Sequence, residues 1–173
     1  ADKDVVIEAV RQNRHAVDFA KSELRRCKEV AIEAVKHDWQ VLLGENCEGL
    51  RADKEVALEV VKQNWEARRY LDEKLWGHKD LVLEAVKQKG SLLADLAHGF
   101  NADKDVVLEA VTQNGEALQF ACTDFRADKD IVIRAVRQKG CALRFASGEL
   151  QADWQVVKEA MKEDPCALEF APE

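Results

Sequence analysis

The stretch ADKDVVLEAVTQNGEALQFACTDF, Ala102 to Phe125, is the most regular copy of a pattern that fills the chain of 173 residues. The copies begin at Ala1, Arg26, Ala52, Gly77, Ala102, Ala127 and Ala152, and the last one is incomplete. A fixed spacing in this range, here 25 residues with one step of 26, is typical of stacked repeat arrays. We therefore predict that residues 1–173 form one continuous repeat array. Neither end has a polar capping repeat, so we interpret the array as a segment of a longer one, or as one whose ends are covered.

The first half of each repeat has the pattern of an amphipathic helix. In the fifth repeat, Asp103 stands at the N-cap, where its carboxylate can accept hydrogen bonds from free backbone amides. Val106, Val107, Ala110 and Val111 follow with the i, i+1, i+4, i+5 spacing of a single helical face. The valines favour a strand to some extent, but the lack of strict alternation predicts a helix of about three turns.

A turn and a shorter helical piece complete the repeat. Gly115 follows the first helix, where glycine commonly adopts the left-handed conformation that ends a helix. Residues 116–121 again place their apolar side chains on one helical face, and Phe125 anchors the loop to the next repeat. Neither helix can bury its apolar stripe alone. The sequence therefore predicts an all-α fold, an α-solenoid of stacked repeats with one longer and one short helix each.

The recurring motif resembles a known repeat family. The pattern A-D-K-D-V-V-L-E-A-V-x-Q-N-G-x-A-L-x-F-A, found from Ala102 and with substitutions from Ala127, is similar to that of the domain of unknown function 4116. The resemblance covers essentially the whole chain. It implies a helical repeat and supplies no catalytic residues that could be transferred to this sequence.

The second repeat departs most from the pattern. Cys27 replaces the capping aspartate, a change that we expect to weaken the helix start by about 1 kcal/mol. Residues 44–49, GENCEG, contain the extra residue of the 26-residue step. We predict an irregular loop there.

Composition restricts the class of partner and the compartment. The net charge is −7, from 33 acidic and 26 basic residues, and such a field opposes nucleic acid and anionic lipid surfaces. No apolar run approaches 18 residues, so we expect no direct insertion into a membrane. The five cysteines favour a reducing intracellular compartment, because an odd number of scattered thiols is poorly suited to a disulfide framework. Cys141 and Cys166 share a repeat position. They could form a disulfide between adjacent repeats, or the position could simply require a small residue.

No motif for catalysis, metal binding or phosphate binding is present in the sequence. A row of glutamates recurs once per repeat, at Glu8, Glu33, Glu59, Glu84, Glu109 and Glu159. A basic residue follows three positions later in most repeats, which indicates surface ion pairs rather than paired catalytic carboxylates. Glutamines such as Gln113 and Gln138 also share a repeat position. Either they form hydrogen bonds between adjacent repeats, or they are simply polar residues at the ends of helices. We predict no enzyme activity, no metal and no cofactor.

The strongest functional signal is aromatic. Trp39 and Trp65 occupy the turn-glycine position of consecutive repeats, with Arg68 and Arg69 close to Trp65 and with Trp76 further along. Large amphipathic side chains beside arginine are typical anchors of protein interfaces, which makes these five residues the candidate partner-binding site. The alternative is that the two tryptophans fill gaps caused by the irregular second repeat.

These observations favour a non-enzymatic scaffold for protein–protein interaction, alone or as a subunit or fragment of a larger assembly. The partner is expected to be a protein. A second interpretation is a regulatory or recruiting module of a protein whose enzymatic domain lies outside this segment. A nucleic-acid-binding solenoid ranks third, because base-reading repeats need basic and stacking residues at fixed positions and the chain is acidic.

Overall fold

The computed structural model describes residues 2–44, 47–96 and 99–172, and in these ranges it contains helices and turns but no strand. The predicted all-α repeat fold is confirmed. Residues Glu45 and Asn46, within the segment that we predicted to be an irregular loop, lie outside the described residues.

Each repeat begins with an α-helix of 10 residues, as the apolar spacing predicts. Asp53, Asp103, Asp128 and Asp153 cap four of these helices, each accepting hydrogen bonds from the amides two and three residues further on. Cys27 provides no side-chain cap, as expected. The seven long helices are Lys3–Gln12, Lys28–His37, Lys54–Gln63, Lys79–Gln88, Lys104–Gln113, Lys129–Gln138 and Trp154–Glu163.

The short helix that follows has the tighter 3₁₀ geometry. Just before it, in five of the seven repeats, an Asn or Asp side chain accepts a hydrogen bond from the amide two residues on, as Asn114 does from Glu116. This local bond competes with continuation of the α-helix and turns the chain. The 3₁₀-helices of this kind are Arg14–Phe19, Trp39–Leu43, Trp65–Tyr70, Gly90–Ala94, Gly115–Phe120, Gly140–Phe145 and Pro165–Phe170.

A third short element lies where the sequence pattern predicted only a connecting loop. In the fifth repeat it is the single α-helical turn Thr123–Arg126, which contains the predicted anchor Phe125. The amide of Cys122 donates to the carbonyl of Asn101 at 2.9 Å, which links this segment to the preceding repeat. The corresponding elements are Ser22–Arg25, Glu48–Ala52, Glu73–Gly77, Phe100–Ala102 and Gly148–Gln151.

The chain divides into two compact units, residues 1–84 and residues 85–173. Within the second unit, the long helices of the fifth, sixth and seventh repeats pack in sequence against one another. Their apolar faces form the core, where Val106, Val107, Ala110 and Val111 are all fully buried. Stacking of neighbouring repeats is thus present inside a unit, whereas the single continuous array over the whole chain stays a prediction.

The role of the turn glycine was predicted wrongly. Gly115 has no left-handed backbone, and among the described glycines only Gly99 has a positive φ, of 75°. Gly115 is instead buried beneath the next repeat, where a Cβ atom would lie 2.3 Å from the carbonyl oxygen of Ala135. Gly90 and Gly140 have the same close approach, at 2.3 Å from Ala110 and 2.5 Å from Ala160. Glycine is therefore required here by packing between repeats.

All five cysteines are free. A disulfide between Cys141 and Cys166 is therefore absent. The alternative interpretation, that this repeat position takes a small residue, remains. None of the helices in the described ranges is both long and apolar enough to cross a membrane.

Candidate functional site

The acidic and basic rows form ion pairs on the surface of the long helices. Glu33 and Glu159 each bind a base three residues later, Lys36 at 3.1 Å and Lys162. A second set of pairs, which the sequence analysis did not anticipate, joins successive repeats: Lys104 reaches Asp128 at 3.0 Å and Lys129 reaches Asp153 at 2.6 Å. The cap aspartates Asp128 and Asp153 are therefore engaged in ion pairs with the preceding repeat.

The shared glutamines bond between repeats, so helix-end polarity alone does not explain them. The side chain of Gln113 accepts a hydrogen bond from the amide of Gly90 at 2.6 Å and donates one to the carbonyl of Gln88 at 3.2 Å. Gln138 makes the equivalent pair of bonds with Gly115 and Gln113. Each glutamine thus satisfies a buried amide at the glycine position and a free carbonyl at the end of the preceding long helix.

The aromatic residues of the second and third repeats form direct contacts with one another. The ring of Trp39 stacks on the ring of Tyr70, with centroids 5.5 Å apart and an angle of 28° between the planes. Trp39 is half-buried, and Tyr70 keeps 37% of its surface exposed. Tyr70 was missed as a site residue, although its place in the sequence, at the phenylalanine position of the third repeat, was a usable signal.

Two arginines lie over aromatic rings of the third repeat. The guanidinium of Arg68 lies 5.7 Å from the ring centroid of Trp65, and that of Arg69 lies 5.1 Å from the ring centroid of Tyr70. At these distances the cation is attracted to the electron-rich face of the ring. We call Trp39, Trp65, Arg68, Arg69 and Tyr70 together the aromatic–arginine cluster.

Trp76 is not part of this cluster. It lies on the following 3₁₀-helix, Glu73–Gly77, where it is half-buried. Its ring stacks on none of the described aromatic rings. The structure therefore places four of the five predicted site residues in two contact groups, Trp39 and Arg69 on Tyr70, and Arg68 on Trp65, and it leaves Trp76 apart from both.

The cluster exists because tryptophan replaces glycine at a close junction. Trp39 starts its 3₁₀-helix at the position that Gly115 occupies in the fifth repeat. A side chain there prevents the close approach of the next long helix, and the 3₁₀-helix of Trp39 indeed packs less closely against Lys54–Gln63 than its glycine-containing counterparts do against theirs. The side-chain amide of Gln63 still donates a hydrogen bond across the junction, to the backbone carbonyl of Val35. The second and third repeats are thus joined around an aromatic wedge.

A comparison with family models gives five overlapping matches to the domain of unknown function 4116, over residues 2–43, 53–98, 78–126, 103–151 and 128–173. The chain belongs to this family. No curated protein and no solved structure matched the chain in the corresponding comparisons.

Each of these family matches spans about two repeats, and the last four begin at residues 53, 78, 103 and 128. This spacing is the same as that of the aspartate caps Asp53, Asp103 and Asp128. The chain is thus a helical-repeat member of a family whose function is unknown. In the described ranges, the structure contains no group of three or more His, Cys, Asp or Glu side chains that could hold a metal ion.

Proposed function

We propose that this protein is a non-enzymatic helical-repeat scaffold that binds another protein through the aromatic–arginine cluster. The observation that supports the proposal is the layered contact of Arg69, Tyr70 and Trp39, in which Tyr70 remains 37% exposed. Aromatic and arginine side chains are enriched among the residues that contribute most to the affinity of protein interfaces. Because the rings and guanidinium groups already hold one another in place, a partner would bind them with little loss of side-chain entropy.

The same residues can also have a structural role, since Trp39 stands at the position where glycine elsewhere allows the next long helix to approach closely. The two roles make different predictions for side chains on the outside of the cluster. Arg69 is exposed, and its guanidinium lies over the ring of Tyr70. Its replacement therefore changes the surface and leaves the stacked rings of Trp39 and Tyr70 in place. Trp39 and Trp65 are half-buried, so their truncation tests both roles together.

The experiment is affinity capture from native extract with the unaltered protein, Arg69→Glu and Trp39→Ala/Trp65→Ala, with helicity followed by circular dichroism. Trp154→Ala is the matched control, because Trp154 is 72% exposed and lies outside the cluster. We expect Arg69→Glu to remain folded and to lose a protein that the control retains. That protein is then purified and its direct binding is measured by titration calorimetry.

Retention of every captured protein by a folded Trp39→Ala/Trp65→Ala variant would exclude the cluster as the binding surface. If this variant unfolds while Arg69→Glu keeps every captured protein, the cluster is a structural wedge only. Measurable turnover by this chain alone, in any assay, would contradict the non-enzymatic part of the proposal.

A further inference from the structure

An open groove of about 640 Å³ lies between the long helices Lys104–Gln113 and Lys129–Gln138, both within the unit formed by residues 85–173. Leu108 and Ile133 supply the apolar part of its lining, and both are half-buried. Three cations, Lys104, Arg134 and Arg137, and one carboxylate, Asp130, also line it. The groove lining therefore combines an apolar surface with three cations and one carboxylate, although the chain as a whole carries −7.

Two exceptions in the repeat pattern meet at this groove. Arg134 stands where the other six repeats have glutamate, and Thr112 stands where the other six have lysine or arginine. At two other junctions the base of one repeat binds the glutamate of the next: Arg11 binds Glu33 at 3.3 Å and Arg137 binds Glu159 at 2.8 Å.

Thr112 and Arg134 cannot form this ion pair between successive repeats. Thr112 is short, and its hydroxyl donates to the carbonyl of Leu108 at 2.6 Å within its own helix. Its small side chain leaves open the space that lysine or arginine takes up in the other repeats. The ion pair seen at those two junctions therefore cannot form between the fifth and sixth repeats, and the groove lies at this junction.

Arg134 is the groove cation whose charge is not matched by an ion pair in the described part of the chain. Lys104 is bound to Asp128 at 3.0 Å, and Arg137 is bound to Glu159. Asp130 lies one turn before Arg134 on the same helix, but the two form no ion pair. An exposed guanidinium beside half-buried aliphatic side chains can bind a carboxylate through two parallel hydrogen bonds.

We propose that this groove binds an acidic segment of a partner protein, with a carboxylate on Arg134 and an adjacent aliphatic side chain on Leu108 and Ile133. The inference rests on the protein-binding function proposed above, but it uses residues outside the aromatic–arginine cluster. An acidic peptide with an aliphatic side chain is favoured over nucleic acid, because the groove offers one unmatched guanidinium beside aliphatic side chains, whereas binding to a phosphate backbone relies on several cations that neutralise phosphates.

The test is fluorescence anisotropy with a labelled short peptide built of glutamate and leucine. A lysine–leucine peptide, a glutamate–serine peptide and a single-stranded oligonucleotide serve as comparison probes. We expect the glutamate–leucine peptide to bind best, and Arg134→Glu to weaken that binding by about tenfold. Lys158→Glu is the matched control, because it makes the same change of charge at an exposed residue outside the groove and should leave binding within about twofold.

Arg134→Glu should remain folded, since glutamate is the residue found at this position in the other repeats. The variant should also bind the lysine–leucine peptide better than the unaltered protein does, because the charge at residue 134 is reversed and the lining then carries two cations and two carboxylates. Binding of the lysine–leucine peptide or the oligonucleotide as tight as that of the glutamate–leucine peptide would overturn the proposal, as would equal effects of Arg134→Glu and Lys158→Glu.

The two proposals can fail separately. Trp39→Ala/Trp65→Ala should leave binding of the glutamate–leucine peptide unchanged, because these residues do not line the groove. If cluster variants lose a captured protein but no peptide binds the groove, only this further inference is overturned. If the peptide binds as expected and cluster variants lose nothing, the groove stands as an interaction surface and the cluster does not.

Discussion

Gly115 of the fifth repeat lies directly against Ala135 of the sixth, so close that a Cβ atom on Gly115 would be 2.3 Å from the carbonyl oxygen of Ala135. The carbonyl belongs to the backbone of a long helix and cannot turn aside as a flexible side chain would. We expect Gly115→Ala to separate the two repeats and to lower the free energy of unfolding by about 2 kcal/mol. Urea denaturation followed by circular dichroism measures this loss.

Gly148→Ala is the control for this prediction. Gly148 is helical, and a Cβ atom there would have no neighbour within 4 Å. Alanine at this position should be neutral or stabilising by up to about 1 kcal/mol, because it restricts the unfolded chain. Equal destabilisation by the two substitutions would contradict a specific role of the close contact with Ala135.

A second prediction compares one position in two repeats. Val5 is 62% exposed, whereas its equivalent Val106 and the corresponding residues of the other repeats are fully buried. Val106→Ala should lower the free energy of unfolding by about 2 kcal/mol, because it removes buried methyl groups and leaves a cavity. Val5→Ala should change it by less than about 0.5 kcal/mol, as is usual for exposed positions. Similar losses in urea denaturation would mean that Val5 is covered in solution.

A third prediction concerns the ion pair between Lys129 and Asp153. The ammonium of Lys129 donates to Asp153 at 2.6 Å and lowers the pKa of that carboxyl below its ordinary value. Because the pKa is lower in the folded protein than in the unfolded chain, the pair stabilises the fold above the ordinary pKa, and this contribution disappears as the pH falls through the folded pKa. The stability difference between the unaltered protein and Asp153→Asn should therefore shrink on acidification.

Titration of the Asp153 carboxyl by NMR tests the cause directly. Lys129→Met should raise the pKa of Asp153 towards its ordinary value, although the capping bonds from the amides of Gln155 and Val156 keep part of the shift. Lys158→Met is the control, since Lys158 is exposed and forms no ion pair in the described ranges. If both substitutions left the pKa of Asp153 unchanged, the cross-repeat pair would be absent in solution.

A fourth prediction concerns the stacked rings of Trp39 and Tyr70. A double-mutant cycle with Trp39→Ala and Tyr70→Ala should give a coupling free energy of about 1 kcal/mol, the usual value for aromatic pairs. The cycle of Trp39→Ala with Trp76→Ala should give a value near zero, because Trp76 does not stack on Trp39. Coupling of the same size in both cycles would indicate a general loosening of these repeats rather than the observed contact.

The repeated pattern allowed the long helices to be predicted closely from sequence. Asp103, Val106, Val107, Ala110 and Val111 place a cap and an apolar face in one stretch, and the helix Lys104–Gln113 begins and ends accordingly. The contacts of the partner-binding candidates could be foreseen only in part: Arg68 lies on the ring of Trp65, whereas Trp39 and Arg69 meet through Tyr70, which the sequence analysis did not select. Trp76 could not be excluded in advance, because nearness in sequence does not specify where a ring points.

What the sequence by itself determined is the period, the all-α class and the helix boundaries. The period is read directly from the recurring motif, and the other two follow from caps and apolar spacing, which act over a few turns of the chain. What only the tertiary structure decided is how one repeat meets the next. Gly115 was expected to make a left-handed turn, but its missing side chain instead allows the carbonyl of Ala135 to pack against it. The bonds of Gln138 and the absence of an ion-pair partner for Arg134 are likewise properties of two stacked helices. Such contacts join residues twenty or more positions apart, so the pattern within a single repeat does not specify them.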